Sequence, residues 1–334
     1  MPIKVAINGF GRIGRLVLRA GINNKDLEFV AINDLSDPGT LAHLLRFDSV
    51  HGPFDGYIKE KKDSIEVKGK DIKIFSEKDP KKLPWKRLGV DIVMECTGFF
   101  RTCELMDSHI KAGAKKVLLS APCKGDKKIK TIVMGVNEHT YKGEKLVSNA
   151  SCTTNCFAPI AKAINDNYGI EGGVMTTVHA YTNDQKILDA PHSDLRRAKA
   201  AALNIVPTST GAAKAIAEVI PELEGKCVGA AIRVPVPCGS MVHFVAEIEK
   251  KGISVDEVNS LFKNVSKHHM KGILEYSDEA LVSSDIVGNK HFCIFDSQLT
   301  KCIDNEIIVV VGWYDNEWGY SNRMIDVAKV MMSK

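Results

Sequence analysis

The chain has 334 residues, 44% hydrophobic and 26% charged, enough for about two domains, each with its own core. Lysine plus arginine exceed aspartate plus glutamate by 45 to 41. So slight an excess, with no interleaved aromatic residues or reader motif, argues against nucleic acid as a partner, and no apolar run approaches the roughly 20 residues of a membrane helix. Nine cysteines, an odd number scattered singly apart from Cys152 and Cys156, fit free thiols in a reducing compartment, and with no signal-like N-terminus the expected location is cytoplasmic. The basic stretch "KGDKKIK" (Lys124 to Lys130) is broken by Gly and Asp and reads as a solvated face.

In chain order, "IKVAING", "EFVAIND", "DIVMECTG", "KKVLLSAP" and "TIVMGVN" are short apolar runs bounded by Gly, Asp, Asn or Pro. They read as buried strands, and their alternation with helical patterns implies parallel strands joined by crossover helices. From about residue 150 the strands lengthen ("GGVMTTVHAYT", "CVGAAIRVPVP", "MVHFVAEIE", "EIIVVVGWYD") with fewer helices between them, which points to a second domain on a mostly antiparallel or mixed sheet. Met324, Val327, Ala328 and Met331 recur at helical spacing near the end and predict a closing amphipathic helix that packs back on the first domain.

Gly9, Gly11 and Gly14 stand in G-x-G-x-x-G order between the first strand and an apolar-periodic segment. In that context one glycine allows a tight turn, one lets the backbone approach a pyrophosphate, and one permits close helix packing, with the phosphate on the helix N-terminus. Asp34 ends the second strand 20 residues after Gly14, where a carboxylate accepts from ribose hydroxyls and repels a ribose phosphate, favouring NAD over NADP. A glycine turn in another parallel-sheet fold, with Asp34 a strand-end cap, is the competing reading.

In "SNASCTTNCFAP" the apolar residues Phe157, Ile160, Ala161 and Ile164 mark one helix face, with the helix ending at Tyr168-Gly169. Ser151 as N-cap places Cys152 in the first turn, where the helix dipole is expected to lower its pKa. Cys156 reads as a small buried hydrophobe, and no second ligand pair supports a metal site. His179, at the end of the strand "TTVHA", is the candidate base. An NAD site with a Cys/His pair suggests aldehyde oxidation: thiolate addition, oxidation of the hemithioacetal to a thioester, and proton removal by His179.

The stretches "INGFGRIGR", "SCTTNC", "HAYT", "PTSTGAAKA", "RVPVP" and "WYDNEWGYSNR" resemble, in this order, those of the phosphorylating glyceraldehyde-3-phosphate dehydrogenases of bacterial type, and the resemblance spans essentially the whole chain. It implies an α/β protein: a Rossmann-type doubly wound parallel sheet domain (1–150, completed by a C-terminal helix at 317–334) and an α+β catalytic domain (151–316). The implied activity is reversible conversion of D-glyceraldehyde 3-phosphate, NAD and inorganic phosphate to 1,3-bisphosphoglycerate. Cys152 then carries the covalent intermediates and His179 is the base. Thr182 and Arg233 would hold the substrate phosphate. Ser151, Thr153, Thr210 and Gly211 would hold inorganic phosphate, with Arg197 near both. Asn8, Gly9, Phe10, Gly11, Arg12, Ile13, Gly14 and Asp34 match binders of the adenosine and pyrophosphate, Thr97, Gly98 and Ser120 line the path, Asn316 matches the residue that fixes the carboxamide, and Tyr320 packs near the nicotinamide. The family is homotetrameric, with the 181–206 segment as an S-shaped loop at the subunit core.

The chain departs from the family pattern in places. Ala190-Pro191 mixes the Leu-Pro of NAD-specific members with the Ala-Ser of chloroplast NADP-using ones, whereas Leu35 after Asp34 is the NAD-type choice. Lys199 replaces an arginine near the mobile phosphate loop. Val236, Cys238 and His243 replace Thr, Asn and Asp beside Arg233, and Cys238 reads as an oxidation-sensitive bystander. Three alternatives stay open: an erythrose-4-phosphate dehydrogenase, a non-phosphorylating aldehyde dehydrogenase, against which Thr153, Thr210 and Gly211 argue, and a nucleic-acid or surface binding protein.

Overall fold

The computed structural model describes residues 1–333, which form two compact units. One comprises Met1–Ile132, Glu138–Ser151 and the chain from Ser321 on; the other comprises Val133–Asn137 and Cys152–Tyr320.

The first unit is built on a nine-stranded sheet. Lys130–Thr131, Leu146–Ser148, Lys116–Leu119, Ile92–Glu95, Ile3–Asn8, Leu27–Asn33 and Lys70–Phe75 lie side by side in that order, all parallel. Helices cross between them, as the apolar-run pattern implies. Two are capped by side chains that accept from the first turn: Asp37 from Thr40 N–H and Thr102 from Leu105 N–H. Ala6, Ala31, Val93, Val117 and Leu119 from the strands, with Trp85 and Met106 against them, make a dry core.

Two expectations need correction here. Of "TIVMGVN" only Thr131, with Lys130 before it, joins the sheet, because Gly135 at φ +79° turns the chain and Val133 N–H is taken by the Asn137 side chain at 2.8 Å. Ile58–Glu60 and Ser64–Val67 extend the sheet as an antiparallel edge that the apolar runs do not reveal, joined to Lys70–Phe75 by a turn with Lys68 and Gly69 at positive φ. The helix Trp318–Met332 buries Met324, Val327, Ala328 and Met331 completely. Its later part belongs to this unit, where the Tyr141 hydroxyl donates to Met331 O at 3.2 Å.

The second unit carries an eight-stranded mixed sheet. Its central strand, Ile170–Ala180, runs parallel to Cys227–Val234 and antiparallel to Ser240–Ile248, which pairs in turn with Ile307–Tyr314. The helix Cys152–Tyr168 lies on this sheet. The Phe157 ring meets Phe244 edge-on at 4.8 Å, and Gly312 leaves the hollow that Ile160 fills, since a Cβ there would lie 2.6 Å from the Ile160 side chain. Seating the helix this way fixes its first residue, Cys152, over the end of the central strand.

Candidate active site

In the first unit the three glycines divide the work by what surrounds each. Gly9 has φ +90°, and a Cβ there would strike Thr97 N at 2.7 Å. At Gly14 a Cβ would sit 2.1 Å from Gly9 O, so only hydrogen lets the helix Arg12–Gly21 approach the strand end. At Gly11 a Cβ would meet nothing within 4 Å: the space beside it is open, and Gly11 lines a pocket of about 410 Å³ with Asn8, Gly9, Asp34, Leu35 and Thr97. Open space at the middle glycine and a helix start behind it make a cradle of the kind a pyrophosphate fills.

Several side chains expected at this cradle are committed elsewhere. Asn8, fully buried, donates to Glu95 Oε2 at 2.6 Å and accepts from Asn33 at 2.7 Å. Glu95 Oε1 also accepts from the N–H and the hydroxyl of Thr97, and Oε2 from the buried His109, whose other nitrogen accepts from Trp85 Nε1–H at 3.0 Å. Asn8 and Thr97 are thus braced from beneath. Phe10 is buried, and its N–H donates to Asp34 Oδ2 at 2.7 Å. Asp34 Oδ1 accepts from Ser36 N–H at 3.0 Å, leaving further lone pairs on both oxygens for ribose hydroxyls. The Arg12 guanidinium pairs with Asp48 at 2.5 Å, and Asp48 is held far below the usual carboxylate range by bonds from His51, Arg12 and Val50 that outweigh its burial. Ile13 is the second residue of the Arg12–Gly21 helix, Gly98 is exposed at φ +75°, and Ser120 N–H pairs with Glu95 O at the end of the neighbouring strand.

In the second unit Cys152 Sγ lies 3.3 Å from His179 Nε2. Parallel pairing sets Arg233 directly beside His179 on the adjacent strand. Arg233 Nη1 is 2.7 Å from His179 Nδ1 and donates to Ala180 O at 2.9 Å, while His179 Nδ1 is 2.7 Å from the same carbonyl. Burial, then the Arg233 and Arg197 charges, push the His179 imidazolium pKa down to about 3, so the ring is neutral at pH 7. The lowered pKa expected for Cys152 is not what the structure gives. Burial raises it, and Arg233 and the Thr153 N–H only partly oppose that. With the ring proton on Nδ1 toward Ala180 O, Nε2 offers its lone pair to the thiol, and Arg233 Nη1, which can only donate, acts on Nδ1 through its charge and not as a hydrogen-bond partner.

The hydroxyls expected to hold phosphate fall into two groups. Thr153 is buried, and its Oγ1 lies 3.0 Å from the hydroxyl of Tyr314, which is itself 2.9 Å from Thr177 Oγ1. Thr210 accepts from Ala212 N–H at 3.2 Å, and Gly211 beside it is exposed and unobstructed. Arg197 pairs with Asp184 at 2.6 Å and donates to Thr208 and Ser209, close enough to Arg233 and His179 to depress both electrostatically. Ser151 directly precedes Cys152, and Thr182 lies two residues past Ala180, both partly exposed. Asn316 is buried and held by Ser240, and Tyr320 packs edge-on against Phe292 at 6.0 Å.

Cys238 is corrected as well: it is buried, donates to Asp315 Oδ1 at 3.1 Å, and is pushed far above an ordinary thiol pKa by burial and that carboxylate, which makes it a poor oxidation target. Lys199 pairs with Asp189 at the surface. Thr177, Ser240 and Tyr314 are parts of the site that motif reading does not find, because each is joined to it by contacts 60 to 161 residues apart in sequence.

Residues 3–103 match the family described as "Glyceraldehyde 3-phosphate dehydrogenase, NAD binding domain", and residues 151–316 match "Glyceraldehyde 3-phosphate dehydrogenase, C-terminal domain". The chain is 53% identical over 336 aligned positions to a glyceraldehyde-3-phosphate dehydrogenase of Geobacillus stearothermophilus, covering all of this chain and 99% of the relative. It is 54% identical to one of Streptomyces coelicolor, with 98% of each chain covered. It is 51% identical to one of Borreliella burgdorferi, covering 99% of this chain and all of the relative.

Proposed function

The chain belongs to the glyceraldehyde-3-phosphate dehydrogenase family, and from that premise we propose that it converts D-glyceraldehyde 3-phosphate and inorganic phosphate to 1,3-bisphosphoglycerate, reversibly and with NAD. The observation that carries the reading is the Cys152 sulfur 3.3 Å from a neutral His179 Nε2 at the first residue of a helix. NAD, when bound, accepts the hydride; the open space at Gly11 and the lone pairs of Asp34 suit its pyrophosphate and adenosine ribose.

His179 takes the thiol proton through Nε2 as Cys152 sulfur adds to the aldehyde carbon, and returns it to the resulting oxyanion. It then takes the hydroxyl proton as the hemithioacetal is oxidised to the thioester. Ala180 O holds Nδ1–H throughout, so the ring keeps one orientation. Burial is the main reason the imidazole stays neutral and the Arg233 and Arg197 charges add to it, so an anion bound by Arg233 and Thr182 offsets the charge part and the substrate's phosphate makes His179 a stronger base. Ser151, Thr153, Thr210 and Gly211 bind the inorganic phosphate that attacks the thioester, releasing the acyl phosphate and restoring the thiol.

A homotetramer fits the surface of the second unit: Ile187, Leu188, Leu195, Leu203 and Ile205 in the 181–206 segment are between 69% and 90% exposed, more apolar surface than a monomer usually leaves in one segment. No helix among the described residues is long and apolar enough to cross a membrane, and work in the cytoplasm completes the reading.

The test is NADH formation from NAD and glyceraldehyde 3-phosphate, with and without inorganic phosphate. Sustained phosphate-dependent turnover is expected, and several-fold slower turnover with erythrose 4-phosphate. Equal steady rates with and without phosphate would replace phosphorolysis by hydrolysis, and faster turnover of the four-carbon aldehyde would change the substrate.

A further inference from the structure

Asn316 presents an amide whose two ends are chemically opposite, and the ligand end has to be chosen by something. The structure puts Ser240 in that position. Ser240 is almost fully buried, and its Oγ accepts the Ala180 N–H at 3.0 Å and donates to Asn316 Oδ1 at 3.0 Å. If the amide were turned over, the buried Ser240 proton would lose its acceptor, at the cost of leaving a polar group unpaired. The carbonyl end of Asn316 is therefore the end that Ser240 holds.

Both neighbours of this contact are rigid. Gly239 has φ +87°, and a Cβ there would lie 2.1 Å from Ser283 O, so the chain enters Ser240 along one path. Asp315 Oδ1 accepts from the N–H groups of Glu317 and Trp318, and Oδ2 from Gly288 N–H, which pins the backbone on either side of Asn316. Ala180, on the other side of Ser240, is the residue whose carbonyl holds the His179 ring. One hydroxyl thus links the strand end that carries the base to the amide.

We propose that Ser240 is a positioning residue that fixes the Asn316 amide as a donor toward a ligand carbonyl oxygen, the carboxamide oxygen of the nicotinamide ring, in register with His179. This rests on the reading of Asn316 as the carboxamide partner. The experiment measures dissociation constants by calorimetry for two ligands, NAD and ADP-ribose, which shares the adenosine and pyrophosphate but has no carboxamide. Ser240→Ala is expected to weaken NAD ~10-fold and leave ADP-ribose within about twofold. Ser240→Cys, close in shape with a weaker donor, is expected to fall between wild type and Ser240→Ala, and it stands in should the alanine variant fold poorly. Asn316→Asp, which replaces the donor end by an acceptor, is the control on the underlying reading. If Asn316→Asp weakens NAD selectively and neither Ser240 variant does, the role of Ser240 is overturned. Equal weakening of both ligands by the Ser240 variants would also overturn it, as that is what a merely structural hydroxyl would give. If Asn316→Asp fails to separate the two ligands, the reading of Asn316 falls instead.

Discussion

The two units build their sites from opposite materials. In the first, the cradle is made of backbone and absent side chains: Gly9, Gly11 and Gly14 shape it, while the polar side chains around it, Asn8, Glu95 and Thr97, face one another. In the second, the reacting groups are side chains held against their own preferences, a thiol and an imidazole both kept neutral by burial beside two guanidinium groups. A site of the first kind is sensitive to added atoms, and one of the second kind to removed or recharged ones.

The largest effect therefore belongs to the second unit. Cys152→Ser exchanges one atom yet removes the nucleophile, and turnover should fall by roughly 10^4-fold or more while NAD affinity changes little. Retained turnover would end the covalent mechanism.

Next comes the acid limb of stability. His179 titrates near 3 when folded and near its ordinary value of 6.5 when unfolded. The unfolded chain then binds the proton first as pH falls, so the contribution of the neutral ring is complete above about pH 6.5 and is lost between there and pH 3. At about 1.4 kcal/mol per unit the loss is on the order of 5 kcal/mol. Denaturant midpoints of wild type and His179→Asn compared across that window should diverge accordingly. Parallel curves would mean that the ring is not held neutral.

The glycines sharpen the contrast from the other side. Gly14→Ala forces a carbon onto Gly9 O and should cost about 3 kcal/mol of stability. Gly11→Ala adds the same carbon in open space at an ordinary φ of −70°, so folding should change by less than about 1 kcal/mol. Its NAD affinity should nonetheless drop ~10-fold or more, because the methyl takes the room of the pyrophosphate. Similar stabilities for the two variants would break the division of labour among the glycines.

The same asymmetry separates what the sequence reveals from what it hides. The glycine cradle is legible because its parts lie within six residues and their spacing alone implies a phosphate-binding turn. Cys152 and His179 are legible because each sits at the boundary of a strongly patterned element. The charged edge strands at 58–60 and 64–67 are not, since Lys and Glu interrupt every apolar run there. The direction of the Cys152 pKa is hidden too, because the helix start is local and visible, while the burial that outweighs it is assembled from the sheet beneath. Ser240 and Tyr314 stay hidden for the same reason: an isolated hydroxyl on a strand carries no pattern until its partner is known.

Tyr314 gives the smallest and most discriminating test. Thr177 Oγ1 donates to Met241 O at 3.1 Å, so its proton is spent, and the Tyr314 hydroxyl donates to Thr177 and accepts from Thr153. Thr153 therefore points its proton inward, whereas an inorganic phosphate needs it outward. Binding then requires both hydroxyls to rotate, Tyr314 turning its proton to Thr153 as Thr153 turns its own to the anion. Tyr314→Phe removes the inward acceptor. It should cost about 1 kcal/mol of stability for the lost bonds, yet leave the KM for phosphate unchanged or slightly lower, because Thr153 is already free to donate. Were the KM to rise tenfold, Tyr314 would be touching the anion itself, and the phosphate site proposed for the second unit would gain one more side chain.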